Sequence, residues 1–363
     1  MSIPERITCA SCRVEIEQVA AFGGMDGDAL LADWLGETVV RDASDGYWFF
    51  SHQLGEVVWR FGLDGTAAMI GKRGQGPAEL LAVSALGLDD SDQVVAVDAG
   101  NSRFVSLDRT GVTDATLYHQ QGAGISSIEP LRGDTILIAT MSMASERVGV
   151  PIQAVSLRSG RIVESLGAPV AEYQVQLTQR YQERRLSALD GTVAAGHVWR
   201  YQIDIYDWAS KALTQTIVRE APWFPIVDLT EVRPPSTRPP TRAIGVKLLS
   251  DSTILVVLQR PRPNWLEAYS DSERTVEDEA VPVSFALTYE TVVELLDFRN
   301  GHVLARERLD GSALAVVSGG EGTQVAVLRD EDLVPRVLIY EIETSVQAFS
   351  PQDTQPLIRR QFQ

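Results

Sequence analysis

Gln93-Val-Val-Ala-Val-Asp98-Ala-Gly100-Asn101-Ser-Arg103-Phe-Val-Ser-Leu-Asp108-Arg-Thr-Gly111 reads as two short apolar strands joined by a tight turn. Val94, Val95 and Val97 form one arm, and Phe104, Val105 and Leu107 form the other. Asp98, Gly100 and Asn101 carry the turn: glycine reaches positive φ without steric cost, and short Asp and Asn side chains bond nearby backbone. Asp108 and Gly111 end the second strand.

Weaker forms of this unit recur along the chain. Its turn anchors are Asp64-Gly65, Asp108 to Gly111, Ser159-Gly160, Asp207 to Ser210, Asp297 to Gly301 and Glu343-Thr344. Gly65 to Gly111 spans 46 positions, Gly111 to Gly160 49, Gly160 to Ser210 50 and Gly301 to Thr344 43. The gap from Ser210 to Gly301 is 91, one unit plus a long insertion. A period of about 40–50 residues is that of propeller blades. Between the anchors lie runs such as Thr135–Ala139, Tyr201–Tyr206, Thr253–Leu258 and Arg336–Tyr340, apolar throughout or alternating with period two. Such runs, bounded by Gly, Asp, Asn and Pro, mark strands. The expected fold is all-β: a six-bladed β-propeller of four-stranded blades.

A ring must close, or an unpaired strand edge is left to aggregate. Val14–Ala20 is strand-like and lacks a local partner, so it is expected to supply the outer strand of the last blade. The chain then divides into an arm (1–13), a propeller (14–345) and a C-terminal tail (346–363). Two segments break the rhythm. The first, about 228–242, contains Glu231-Val-Arg233-Pro-Pro-Ser-Thr-Arg238-Pro-Pro-Thr241 and reads as a stiff connector or a docking strip. The second, about 259–286, begins Arg260-Pro-Arg262-Pro-Asn-Trp265 and turns acidic; it is expected between the second and third strands of the fifth blade.

Hydrophobic residues make up 44% of the 363 and charged residues 22%, enough for a large core. No apolar run approaches ~18 residues, so no transmembrane helix is expected. A net charge of −17 argues against nucleic acid or anionic lipid as partner, since either needs a basic face. It leaves basic protein surfaces and small cationic ligands, with any membrane association peripheral and through a partner. The two cysteines, Cys9 and Cys12, are too few for a four-cysteine zinc site. Arg13 stands where haem attachment needs His, and the run after them is strand-like rather than the helix a redox pair prefers. They read as a local disulfide or as two thiols on a terminal arm. Residues Met1 to Thr8 lack a basic start followed by an apolar core.

Several stretches resemble a family of bacterial six-bladed propellers with NHL/TolB-like repeats. The opening hairpin resembles an NHL repeat. Further matches are Cys9–Ala20, Ile70-Gly-Lys-Arg-Gly-Gln-Gly-Pro-Ala-Glu-Leu80, Ala221-Pro-Trp-Phe224 and Val293–Gly301. The second of these carries a Gly-x-x-Gly-x-Gly-Pro-x-Glu signature. The resemblance covers nearly the whole chain and implies a fold rather than an activity. It implies a periplasmic or extracytoplasmic location; a native start at Met1 would imply the cytoplasm. Glycines beside Lys72 and Arg73 could cradle a phosphate, but the helix and the Lys-Ser/Thr ending of a phosphate loop are missing. That stretch reads as an inter-blade turn.

Propeller ligands bind where loops converge at one mouth of the channel. If the strands are as read, the second strands end on one face at His52, Asp98, Met141, His197, Arg260 and Arg329. Of these, His52, Asp98, His197, Arg260 and Arg329 are the candidate ligand-binding residues. No catalytic motif appears, so no catalytic residue, metal or cofactor is assigned. Arg233, Arg238, Arg260, Arg262 and Trp265 are the candidate partner-binding residues, because Arg and Trp are favoured interface anchors. The expected function is a non-enzymatic scaffold for protein–protein interaction, an accessory subunit of a larger, membrane-associated assembly. The alternatives are a hydrolase or lyase using His52, Asp98 and His197 near a metal or substrate, and a propeller that binds a small ligand or glycan.

Overall fold

The computed structural model describes the chain apart from residues 25–30, 32–34, 52–57, 119–123, 141–149, 151, 168–182, 230, 233, 270–274, 277–278, 281–283, 332–333 and 346–363. The protein is all-β, with its sheets in a β-propeller arrangement. Val83–Leu88, Val94–Asp98, Arg103–Asp108 and Gly111–Leu117 form one four-stranded meander. Ile125–Pro130, Thr135–Thr140, Ile152–Ser156 and Arg161–Leu166 form the next. Arg184–Leu189, Thr192–His197, Gln202–Asp207 and Ala212–Arg219 follow, with Ser2–Ile3 added in parallel at the outer edge. Arg242–Leu248, Thr253–Pro261, Tyr289–Asp297 and His302–Leu309 make the fourth.

The sequence spacing suggested six separate units, but these four sheets stand beside one continuous sheet of eight strands. One half of that sheet is Val39–Arg41, Tyr47–Phe50, Val58–Phe61 and Ala67–Ile70. The other half is Ser312–Ser318, Gln324–Glu331, Val334–Ser345 and Arg13–Gly23. They join where Val317 and Ser318 pair in parallel with Val39 and Val40.

Burial explains the sequence pattern. Middle strands such as Thr135–Thr140 and Thr253–Pro261 are covered on both faces by neighbouring sheets, so they read as continuous apolar runs. Outer strands such as Gly111–Leu117 are largely exposed and polar. Between sheets, Val95, Val97 and Phe104 interlock with Ile128, Ile136 and Ile138. Each such side chain contributes about 1.5–3 kcal/mol when fully buried. Gly87 lets the first strand of one sheet approach the next, since a Cβ there would lie 2.5 Å from the Ile128 Cβ. Three of the turn anchors work as read: Asp108 accepts the Thr110 and Gly111 N–H groups, and Asp207 and Asp297 do the same in their turns. Glu343-Thr344 does not: it lies within the strand Val334–Ser345, paired with Glu15 and Val14, because the N-terminal strand continues the ladder there.

The N-terminal residues lie across the outside of three successive sheets. Ile3, fully buried, pairs with Arg219; the Thr8 N–H reaches the Val303 carbonyl at 3.0 Å. Cys9 and Cys12 are joined by a disulfide and buried beside Leu304 and Ile342. Arg13–Gly23 then pairs antiparallel along Val334–Ser345. No helix among the described residues is long and apolar enough to cross a membrane.

Candidate functional site at the channel mouth

The first strands of all the units line a central channel, which contains Val39, Leu86, Ile128, Leu186, Val246 and Val316. Its cavity measures about 30 Å³, room for a water or two but not for a drug-sized ligand. Strand register places His197 opposite Arg184, Gln259 opposite Arg242 and Asp98 opposite Val83. The ends of these second strands therefore share one end of the channel with the starts of the first strands.

At that end their side chains do not converge. Asp98 is fully buried and accepts from Leu81 N–H (2.8 Å), Asn101 Nδ2 (2.6 Å) and Arg103 Nε (2.9 Å). Arg103 continues to the carbonyls of Gly76 and Glu79, Asn101 donates to the Gly74 carbonyl, and Glu79 accepts the Gly76 N–H. The repeat turn and the Gly-Pro-Glu signature thus form one structural unit, with no side chain of Asp98 left for a ligand. His197 is buried, its Nε2 2.8 Å from Asp204 Oδ2. Burial pulls its imidazole down to about 4, so it is neutral at pH 7. Arg260 pairs with Glu290 at 2.5 Å and lies over the Trp223 ring. Arg329 and Arg262 share the Asp310 carboxylate, and the hydrogen bond from Arg262, with Arg329 beside it, holds that carboxyl below the usual range. His52, Met141 and Arg233 lie outside the described residues. Among the described residues no group of three or more His, Cys, Asp or Glu could hold a metal ion.

The insertion in the fourth sheet runs from Arg262 to Thr288, between strands that pair as far as Pro261 and Tyr289. Its described parts form short regular elements. Trp265–Tyr269 forms a 3-10 helix and Phe285–Thr288 one α-helical turn, packed together. Arg262 donates to the carbonyls of Ala286 and Tyr289, and Ser284 Oγ caps the turn by accepting Leu287 N–H at 3.0 Å. Trp265, expected at an interface, is instead buried, its ring edge-on to Tyr269 at 5.8 Å. The residues left outward are Leu266 and Leu287, 53% and 43% exposed. Arg238 ties the proline-rich connector to the end of the strand that leads into this insertion, through the Pro261 carbonyl at 2.8 Å.

The densest chemistry at the mouth comes from residues that sequence reading did not single out. Glu37, just before Val39–Arg41, reaches across the channel to Arg185 and Arg242, which open two neighbouring first strands. Its Oε1 lies 2.8 Å from Arg242 Nη1, and its Oε2 meets Arg185 Nη2. Arg242 is held from behind by Gln259 Oε1 at 2.9 and 2.5 Å, and Gln259 in turn donates to Ser312 Oγ and the Ala313 carbonyl. The Arg242 guanidinium lies 5.4 Å from the Trp199 ring and 5.9 Å from that of Tyr289. Burial pushes the nearby Glu183 carboxyl above the usual range, against the pull of Arg185. Deeper in the channel, burial raises Glu129 to about 7, opposed by Lys247 and the Ala188 backbone. Glu37 and Arg185 are 148 positions apart, so no local pattern could have joined them.

No family model and no curated protein matches the chain. Among solved structures, a Bacteroides fragilis protein assigned as exported is similar at 8% identity and TM-score 0.53, covering 94% of this chain and 99% of its own. A luciferin-regenerating enzyme is similar at 10% identity and TM-score 0.50, covering 91% and 95%. Virginiamycin B lyase from Staphylococcus aureus is similar at 10% identity and TM-score 0.47, covering 91% and 99%. At these identities the likeness is one of fold, and it places this chain among β-propellers that include both exported proteins and enzymes.

Proposed function

We propose that the chain is a non-enzymatic six-bladed β-propeller that binds a protein partner. The blade count takes the eight-stranded sheet as two blades, because only a two-residue parallel pairing joins its antiparallel halves. Arg13–Gly23, paired to the strand ending at Ser345, then completes the last blade and closes the ring. Residues 14–345 form this ring, 1–13 an arm and 346–363 a tail.

The observation that carries the binding role is the insertion at 262–288. Its two short helices are braced by buried Trp265 and the Arg262 bonds, yet they hold Leu266 and Leu287 in solvent. Internal order beneath exposed leucine is what a docking surface needs, because little conformational entropy is left to lose on binding. The sequence of the insertion carries Glu267, Asp271, Glu273, Glu277, Asp278 and Glu279, and the whole chain is at −17. The partner that fits is a protein with an apolar patch ringed by basic residues. The hydrolase or lyase reading gathers no support from Asp98 or His197, each closed within its own sheet.

A tagged copy purified from its native host should carry a stoichiometric basic protein. The double variant L266D/L287D should fold with an unchanged circular dichroism spectrum and lose that protein. Retention by the double variant, or a wild-type chain that purifies alone, would overturn the reading.

A further inference from the structure

From the geometry we infer that Arg185 and Arg242 form a carboxylate-binding clamp at the channel mouth, occupied in this structure by the chain's own Glu37. The inference does not depend on the partner surface of the insertion.

Three observations carry it. First, the two guanidiniums are oriented independently of Glu37. Arg242 is fixed by Gln259 and its aromatic walls, and Arg185 donates to the Ser126 carbonyl at 2.5 Å. A pair of arginines positioned by other groups is a receptor for the fork geometry of a carboxylate. Second, the donors exceed the acceptors. Arg185 Nε is buried and has no hydrogen-bond partner, and Glu183, the second acid nearby, is pushed toward its neutral form. Third, the resident acid can leave. Glu37 keeps 31% of its side chain exposed and precedes its strand on an irregular segment, whereas Arg185 is 7% exposed. A ligand carboxylate arriving at the mouth would make the same two contacts while Glu37 swings into water.

The shared chemistry is a carboxylate, which either a small carboxylic acid or the C-terminus of a peptide supplies. The test is thermal unfolding of the full chain, wild type and E37A, in 100 mM sodium propionate, N-acetylalanine or chloride. E37A should gain a carboxylate-specific rise of about 2 °C over chloride, and the wild type much less. The double variant E37A/R242Q should lose the rise. A larger response to N-acetylalanine assigns the clamp to peptide C-termini, and a larger response to propionate assigns it to small acids. E37Q, which keeps the side chain's shape, is titrated with propionate by NMR line width in case E37A does not fold. Equal behaviour of carboxylates and chloride in both single variants overturns the clamp.

Discussion

Two clusters of the same composition occupy opposite kinds of site in this protein. Each holds two arginines, two glutamates, a tyrosine and a tryptophan. One lies between the third and fourth sheets, where fully buried Glu294 accepts from Arg219, Arg306 and Tyr201, and Glu5 of the N-terminal arm completes the set beside Trp223. The other is the mouth cluster of Glu37, Glu183, Arg185 and Arg242, with Trp199 and Tyr289. In the first the acid at the centre is closed off, so its pairing is a condition of folding. In the second the central acid keeps 31% of its side chain exposed, which is what the proposed exchange requires. On the proposed reading, the burial of one carboxylate separates a structural staple from a site.

The comparison breaks first at Glu294. Glu294→Gln should cost about 3–5 kcal/mol in urea unfolding, because it leaves the buried Arg219 and the partly buried Arg306 with only the partly exposed Glu5. A cost near 1 kcal/mol would place this cluster with the exchangeable one.

The buried pair of His197 and Asp204 gives a second, pH-dependent check. His197 titrates at about 4 in the fold against an ordinary 6.5, so the unfolded chain binds more protons between those values. Stability is therefore intact above pH 6.5 and falls as pH drops toward 4, by roughly 3 kcal/mol in all. His197→Gln, which can still donate to Asp204, should flatten that slope. An unchanged slope would move the acid sensitivity to other groups.

The smallest effect is expected at Glu37. Glu37→Gln should change stability at pH 7 by no more than about 1 kcal/mol, as for other partly exposed pairs. A loss comparable to that of Glu294→Gln would make the mouth cluster a second staple.

Local chemistry was readable wherever it closes within a few residues. The hairpin from Gln93 to Gly111, the Asp-centred turns and the blade-length period follow from turn residues and alternation, which need only neighbours in the chain. The same reasoning found that Asp98 sits at a turn, but not that its oxygens are consumed by Leu81, Asn101 and Arg103. It marked Trp265 by its neighbours, and the tertiary structure turned that ring inward while leaving Leu266 and Leu287 outside.

By itself, then, the sequence determined the all-β class and the Asp-centred turns, because strand periodicity and turn conformations are properties of short segments. Only the tertiary structure decided that Glu37 meets Arg185 and Arg242, and that Glu5 meets Arg219 and Arg306. Those groups are separated by hundreds of residues or nearly so, and their encounter depends on how a ring of sheets closes. The physical reason is that charge recognises distance in space, while a pattern in sequence reports only distance along the chain.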